Sequence, residues 1–594
     1  MATDSADYVD ALELFKLDIR SDNLNTRIEC ISNIKIIAHA LGKAKANSVL
    51  VPLIADCVKG VFCPDDDEVL LAFAKHLPDL LPFLPSDTGP ASIVPILESL
   101  ASQDETVIRE AAVVSLGRIA QSSQSVCNET CFPALIRLFK AEWFSQKLSA
   151  CGLSHYVYSH VPDDGRNQIR SLFISCANDE TPMVKRAAAA NLHRLLPVVE
   201  KNFIIDEFIT VYQSLAQDET QETVRTSCVV ASQALCHILD EKEATQFLRD
   251  TVAALAMDKS WRVRLAVAKI FGELCQSIGK ESTRSHMLEP LVLLMRDQEP
   301  DVRKAAVEAL TDAAKLLPVE DFISDLVPLF SLISKDPVQQ VRSALSGCIG
   351  HLAKILGREF TMNQLLPLLL ESVKDDHPTI RYNATGSIGS MCEVLASEES
   401  DSQSTINQLI NLLHQLSQDS NWRTRLAVLE QIPTLCRLFG KDLFEARLES
   451  LFLSFFGDSV HAVRSALTAE VGKLVDHLGS EWTTSHFSSK ILVLYSETNS
   501  YSSRIAILQT LPKLASKMDS DEVMAKLLFP ILERGCKDVV PNVRFMACSI
   551  VKELRGAGQA LKPALEPLAN DGDIDVQFFA KGAIDSLREV QVSQ

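Results

Sequence analysis

Apolar residues fall along this chain in paired blocks, and the pair recurs. Leu326, Leu329, Phe330 and Ile333 stand three and four apart, which puts them on one face of a helix. Lys335-Asp-Pro-Val-Gln-Gln340 interrupts the pattern and reads as a turn. Val341, Leu345, Ile349, Leu352 and Ile355 then make the stripe of a second helix, closed by Gly357. Neither helix can bury its stripe alone, so the pattern predicts that helical pairs stack on one another.

The turn carries a signature: an Asp, about four residues, then an aliphatic residue and Arg. It ends at Arg109, Arg225, Arg264, Arg303, Arg342, Arg381, Arg425, Arg464 and Arg544, with Lys185 and Gln577 in the same place and a degenerate copy at Arg504. From Arg225 to Arg381 the step is 39 residues each time. Weaker copies near residues 148, 70 and 27 complete a series of fifteen. A period near 39 fits HEAT-type helical pairs, whereas tetratricopeptide and ankyrin arrays repeat at about 34 and 33. The expected fold is all-α: an α-α superhelix, or solenoid, of about fifteen tandem HEAT repeats. It runs as one body through 1–594, with repeats 1–10 in 1–400 and repeats 11–15 in 401–594.

Two details of the repeat carry structural expectations. A proline recurs thirteen to fifteen residues before the Arg, at Pro95, Pro133, Pro290, Pro328, Pro367, Pro530 and Pro563. There, its missing N–H and ring should bend the first helix. The Asp precedes the second helix, where a carboxylate caps free N–H groups, and the Arg one turn in can reach the Asp of its own or the next repeat. Stacking would line these pairs into a ladder, a structural use that leaves no catalytic role for them.

Composition narrows the function. The net charge of −19 argues against nucleic acid as the main partner, since phosphate binding needs clustered Lys and Arg. Fifteen cysteines lie singly along the helical stretches with no Cys-x-x-Cys pair, which suits reduced thiols in a cytoplasmic or nuclear protein. The first residues, Met-Ala-Thr-Asp-Ser-Ala-Asp, are acidic and have no apolar core, so no secretory signal is expected. The longest apolar runs, such as Leu365-Leu-Pro-Leu-Leu-Leu370, fall far short of a membrane span. The sequence holds no phosphate-binding Gly-rich loop, no nucleophile elbow and no His-Glu-x-x-His. Asp65-Asp-Asp-Glu68 and Asp519-Ser-Asp-Glu522 lack calcium-loop spacing and read as capping acids. No catalytic residue, metal site or cofactor is expected.

What remains is the row of turns. Trp143, Trp261 and Trp422 fall in them, and two turns are nearly copies: Asp258-Lys-Ser-Trp-Arg-Val-Arg264 and Asp419-Ser-Asn-Trp-Arg-Thr-Arg425. Trp and Arg on an exposed turn are an interface signal. Trp482 lies instead before a first helix, where packing between repeats is the better reading.

These residues resemble a known family, the A-type scaffolding subunits of protein phosphatase 2A. The resemblance rests on Asp66-Asp-Glu-Val-Leu-Leu-Ala72, Trp143-Phe144 with Ser149-Ala-Cys-Gly-Leu153, Thr181-Pro-Met-Val-Lys-Arg-Ala-Ala-Ala189, the two Trp-Arg turns, Asn542-Val-Arg-Phe545 and Asp573-Ile-Asp-Val576. It implies a non-catalytic scaffold that holds a metal-dependent serine/threonine phosphatase catalytic subunit on the turns of its last five repeats. An exchangeable regulatory B-type subunit would sit on turns nearer the N-terminus. For the catalytic subunit the resemblance points to Trp422 and Arg423, supported by Tyr501, Arg504 and Val540. For the regulatory subunit it points to Trp143, Pro182, Arg186, Trp261 and Arg262. The chain departs from the family at Lys185 (usually Arg), at His461 (usually Tyr), at the inserted Phe62-Cys-Pro64 and at the polar Glu398-Glu-Ser-Asp-Ser402, which bears on which regulatory subunit binds. The alternative is a nuclear transport receptor, also a HEAT solenoid, but that reading expects a longer chain with a long acidic loop inside one repeat.

Overall fold

A computed structural model describes residues 11–62, 66–86, 88–396, 400–516, 528–554 and 560–592. The N-terminal Met1–Asp7 stretch, Cys63–Asp65, Glu398-Glu399 and Asp519–Glu522 lie outside the described residues. Among those described, every regular element is a helix and no strand occurs. The chain forms two compact units, Met1–Val302 and Arg303–Gln594.

Each unit is a stack of helical pairs. In the first, Gly89–Leu100 precedes Thr106–Ser122, Phe132–Lys140 precedes Phe144–Tyr158, and Ile209–Ala216 precedes Glu222–Ile238. In the second, Val327–Ile333 precedes Gln339–Phe360, Leu366–Ser372 precedes Pro378–Leu395, and Ser400–Leu416 precedes Trp422–Leu443. The apolar stripes read from the sequence are the cores. Leu326, Leu329, Phe330, Ile333, Val341, Leu345, Ile349 and Leu352 are all buried. Each fully buried Leu or Ile of this kind contributes about 2 kcal/mol of transfer free energy. Ile355 is only half-buried, because Leu356 takes the inward position in the last turn. Gly357 has φ 81°, so a side chain there would be strained, and the chain turns at it into the next repeat's first helix.

The first helices correct one expectation. Just ahead of several of these prolines lies a five-residue π-helical turn, as at Cys127–Cys131 before Pro133, Phe322–Leu326 before Pro328 and Thr361–Leu365 before Pro367, whereas Pro95 lies inside the α-helix Gly89–Leu100. The same turn occurs with no proline after it, at Ile204–Phe208, Phe444–Leu448 and Thr483–Phe487. Proline is therefore not its cause. The wider turn already breaks the ordinary hydrogen-bond ladder, so a residue without N–H costs little in the segment that follows.

The ladder expected from the Asp and Arg positions is present in both units. Within the first, Arg27 pairs with Asp66, Lys147 with Asp179, Lys185 with Asp218, Arg225 with Asp258 and Arg264 with Asp297. Within the second, Arg303 pairs with Asp336, Arg342 with Asp375, Arg381 with Asp419, Arg425 with Asp458, Arg504 with Asp538 and Arg544 with Asp571. Arg342 shows the design: Nε and Nη2 donate to the two carboxylate oxygens of Asp375 at 2.8 and 3.1 Å, while Nη1 donates 2.7 Å to the carbonyl of its own Asp336. Asp336 in turn accepts from Val338 N at 2.8 Å, so each Asp both closes its own turn and receives the preceding repeat's Arg or Lys.

These contacts set the acid response. Burial pushes the carboxyls of Asp258, Asp375, Asp419 and Asp458 up, but the arginine and the backbone N–H bound to each outweigh it and hold them below the ordinary 3.8. A carboxylate depressed by folding contributes stability above its unfolded value and loses it as pH falls through the folded one. The urea midpoint is therefore expected to hold level from pH 7 to about 5 and to fall steeply below about 4. A decline beginning near pH 6 would assign the acid response to histidines instead.

Candidate functional site

With most of the repeated Asp and Arg engaged internally, what the chain offers outward is the first residue of each second helix. Cα–Cβ bonds tilt toward a helix N-terminus, so side chains there project past the helix end. Trp261 opens Trp261–Lys269, Trp422 opens Trp422–Leu443, Tyr501 opens Tyr501–Ala515 and Pro182 opens Pro182–Leu195. Trp143 caps Phe144–Tyr158 and is 57% exposed; Tyr501 is 50% exposed. Pro182, Arg186, Arg262 and Arg423 are exposed, and Trp261 and Trp422 are half-buried.

The two copied turns differ in their third dimension. In both, Arg stacks over the preceding Trp ring: Arg262 at 5.0 Å and Arg423 at 4.4 Å from the centroid. Arg262 is also tied to the preceding repeat, donating 2.9 Å to Glu222, whose other oxygen accepts 2.6 Å from Ser260. Arg423 has no ion-pair partner among the described residues; only its backbone N–H is engaged, by the Asn421 side chain at 2.9 Å. The second turn thus presents a half-buried ring and a guanidinium without an ion pair together.

The remaining residues separate by their contacts. Trp143 donates its indole N–H 3.2 Å to Asp104 of the preceding turn and packs its ring on Phe144. Arg504 sits in the ladder, Nε 2.7 Å from Asp538, with Nη1 on the Thr498 carbonyl. Val540 is half-buried and its N–H closes the Asp538 turn, whereas Val539 beside it is 87% exposed. Ile574 and Phe578 on the last described turn are also exposed, at 79% and 72%. Sequence reasoning missed these three. Their signal is register, since Ile574 stands where Trp261 and Trp422 stand relative to the repeat. Trp482 is buried and packs against Phe444 and Phe487, with its N–H on Glu445 at 2.6 Å, as its place before a first helix implies.

Comparison with known proteins gives this arrangement a context. A family pattern described as PPP2R1A-like HEAT repeat matches residues 280–357, a HEAT repeat pattern matches 365–395, and a pattern of sister chromatid cohesion protein PDS5 matches 90–313. Among curated proteins, the chain is 31% identical over 282 residues to the A-type regulatory subunit of protein phosphatase PP2A from Saccharomyces cerevisiae, covering 46% of this chain and 44% of that one. It is 35% identical over 241 residues to a probable serine/threonine-protein phosphatase PP2A regulatory subunit of Caenorhabditis elegans, 40% of each chain. It is 36% identical over 184 residues to the A beta isoform of the 65 kDa regulatory subunit of phosphatase 2A from Homo sapiens, covering 31% and 30%. The chain thus spans under half the length of these relatives. Among solved structures, importin beta aligns at TM-score 0.60 and 13% identity over 97% of this chain and 81% of that one. The chain of a Kap95:Nup1 complex aligns at 0.60 and 12% over 98% and 84%. At such identity the likeness speaks for the solenoid fold alone.

Proposed function

We propose, on the premise that this chain belongs to the HEAT-repeat family of the A-type regulatory subunits of protein phosphatase 2A, that it is a non-catalytic scaffold. It holds a serine/threonine phosphatase catalytic subunit on the turns of residues 401–594 and a B-type regulatory subunit on turns nearer the N-terminus. The observation that carries this reading is the Trp422–Arg423 turn, where a stacked aromatic and a free guanidinium stand at a helix start whose repeat Asp and Arg are already paired. Tyr501, Val539 and Ile574 continue an exposed row of side chains on later turns of the same unit. The regulatory-subunit surface is drawn from Trp143, Pro182, Arg186, Trp261 and Arg262 in the first unit. The fourteen cysteines among the described residues are free, and all but Cys236 are buried, which suits a reducing compartment, so we propose that the protein works in the cytoplasm and nucleus.

The two halves of the reading are tested separately. Trp261→Ala with Arg262→Ala is expected to weaken B-type subunit recruitment about tenfold or more, from the loss of one aromatic and one charged contact. Capture of the catalytic subunit should stay at the parental level. Titrating each purified partner onto the variant reads both affinities; loss of both together would identify Trp261 as a packing residue.

A further inference from the structure

In the second unit one rung of the ladder is open. Arg464 occupies the ladder position of its repeat, and its Nη1 donates 2.5 Å to the Asp458 carbonyl, as in the other copies. The acid that should receive its other edge is absent: where Arg425 meets Asp458 and Arg504 meets Asp538, the place facing Arg464 is held by Thr498. The Thr498 hydroxyl still accepts from Ser500 N at 3.4 Å, the turn-closing role that Asp458 plays for Val460 N at 2.8 Å. It does not supply a charge. Arg464 therefore keeps half its fork, Nε and Nη2, without an acceptor among the described residues.

A second ladder arginine that faces no acid is satisfied from within. In the first unit Arg109 has no acid opposite it, but its Nη1 donates to the carbonyls of Gln103 and Asp104 and its Nη2 donates 3.0 Å to Thr106 Oγ1. Arg109 is also buried, whereas Arg464 is half-exposed, and His461 at the start of its own helix and Tyr501 at the start of the next repeat's second helix are both exposed. A half-exposed guanidinium with one edge fixed by its own backbone and the other without an acceptor is pre-oriented for a bidentate carboxylate, the ligand its sister arginines receive.

We propose that Arg464 binds an aspartate or glutamate side chain of the partner held on the C-terminal turns, which completes the rung that Thr498 leaves open. The inference rests on the scaffold reading above and adds the chemistry of one contact to it. Thr498→Asp tests it, because the new carboxylate keeps the turn-closing bond and competes for the open edge from within. Thr498→Asn is the control that keeps the turn and adds no charge, and Arg464→Ala removes the edge itself. The probe is the purified catalytic subunit of the phosphatase. Thr498→Asp should raise the melting temperature and weaken capture about tenfold, the scale of one charge-assisted contact. Arg464→Ala should weaken capture to a similar degree, and Thr498→Asn should match the parent in both readouts. Capture by Thr498→Asp at parental affinity overturns the inference whatever its melting temperature. A parent chain that captures none of the probe overturns the scaffold reading instead.

Discussion

A chain carrying Trp422→Asp and Arg423→Glu is expected to lose capture of the phosphatase catalytic subunit while melting as the parent does. Trp422 stands at the first position of its helix, where an acid is favoured by the helix dipole, so the substitution does not disturb the helix start. Asn421 still caps through a backbone N–H that any residue at 423 provides. What changes is the outward face. The stacked ring and cation are replaced by two negative charges in a chain whose net charge is already −19. Losing an aromatic anchor and reversing the charge beside it should cost more than about a hundredfold in Kd. Pull-down with the isolated partner, alongside circular dichroism melting, separates contact from fold. Capture at parental strength with an unchanged melt would remove this turn from the interface.

How much of this was visible in the chain itself can be judged from single residues. The ladder was legible because both its partners repeat. An Asp six residues before the Arg in most copies, as Asp336 before Arg342 and Asp375 before Arg381 at a step of 39, fixes the separation of Arg342 from Asp375 along the chain and so their meeting across the stack. The cores were legible for the same reason, apart from the last helical turn at Ile355 and Leu356, where the stripe drifts. Contacts made by residues outside the repeat were not. Nothing in two nearly identical turns says that Arg262 is held by Glu222 while Arg423 is left free, since the deciding residue belongs to the preceding repeat. The family resemblance points to Arg504 as a contact, while its place as a degenerate copy of the repeat Arg makes it a rung, and the fold pairs it with Asp538. Val540 and Val539 are neighbours of one type, and only the turn geometry decides which faces solvent. The π-helical turns had no sequence signal of their own, because they recur with and without proline.

Replacing Asp258 by Ala is expected to destabilise the protein by about 3 kcal/mol, the cost of leaving a buried arginine without its carboxylate. The Arg225 and Asp258 side chains are only 5% and 9% exposed, and the two bonds between them are 2.6 and 2.9 Å, so water cannot take over the role. The aspartate also closes its own turn on Ser260 N at 2.7 Å, and that bond is lost with it. A second chain distinguishes the two losses. Arg225→Met with Asp258→Leu removes both charges, leaves none buried, and should recover most of the deficit, since an apolar pair of similar volume replaces a buried ion pair at little cost. What it cannot recover is the Ser260 cap, about 1 kcal/mol. Arg225→Met with Asp258→Asn retains an acceptor for that cap and should stand closest to the parent. If the single Asp258→Ala change costs no more than the apolar double, Arg225 is solvated in the native state and the ladder is a surface feature. Because each rung joins only neighbouring repeats, the damage should also be local. Hydrogen exchange is then expected to rise first in Glu222–Ile238 and Trp261–Lys269, the helices that this rung ties together.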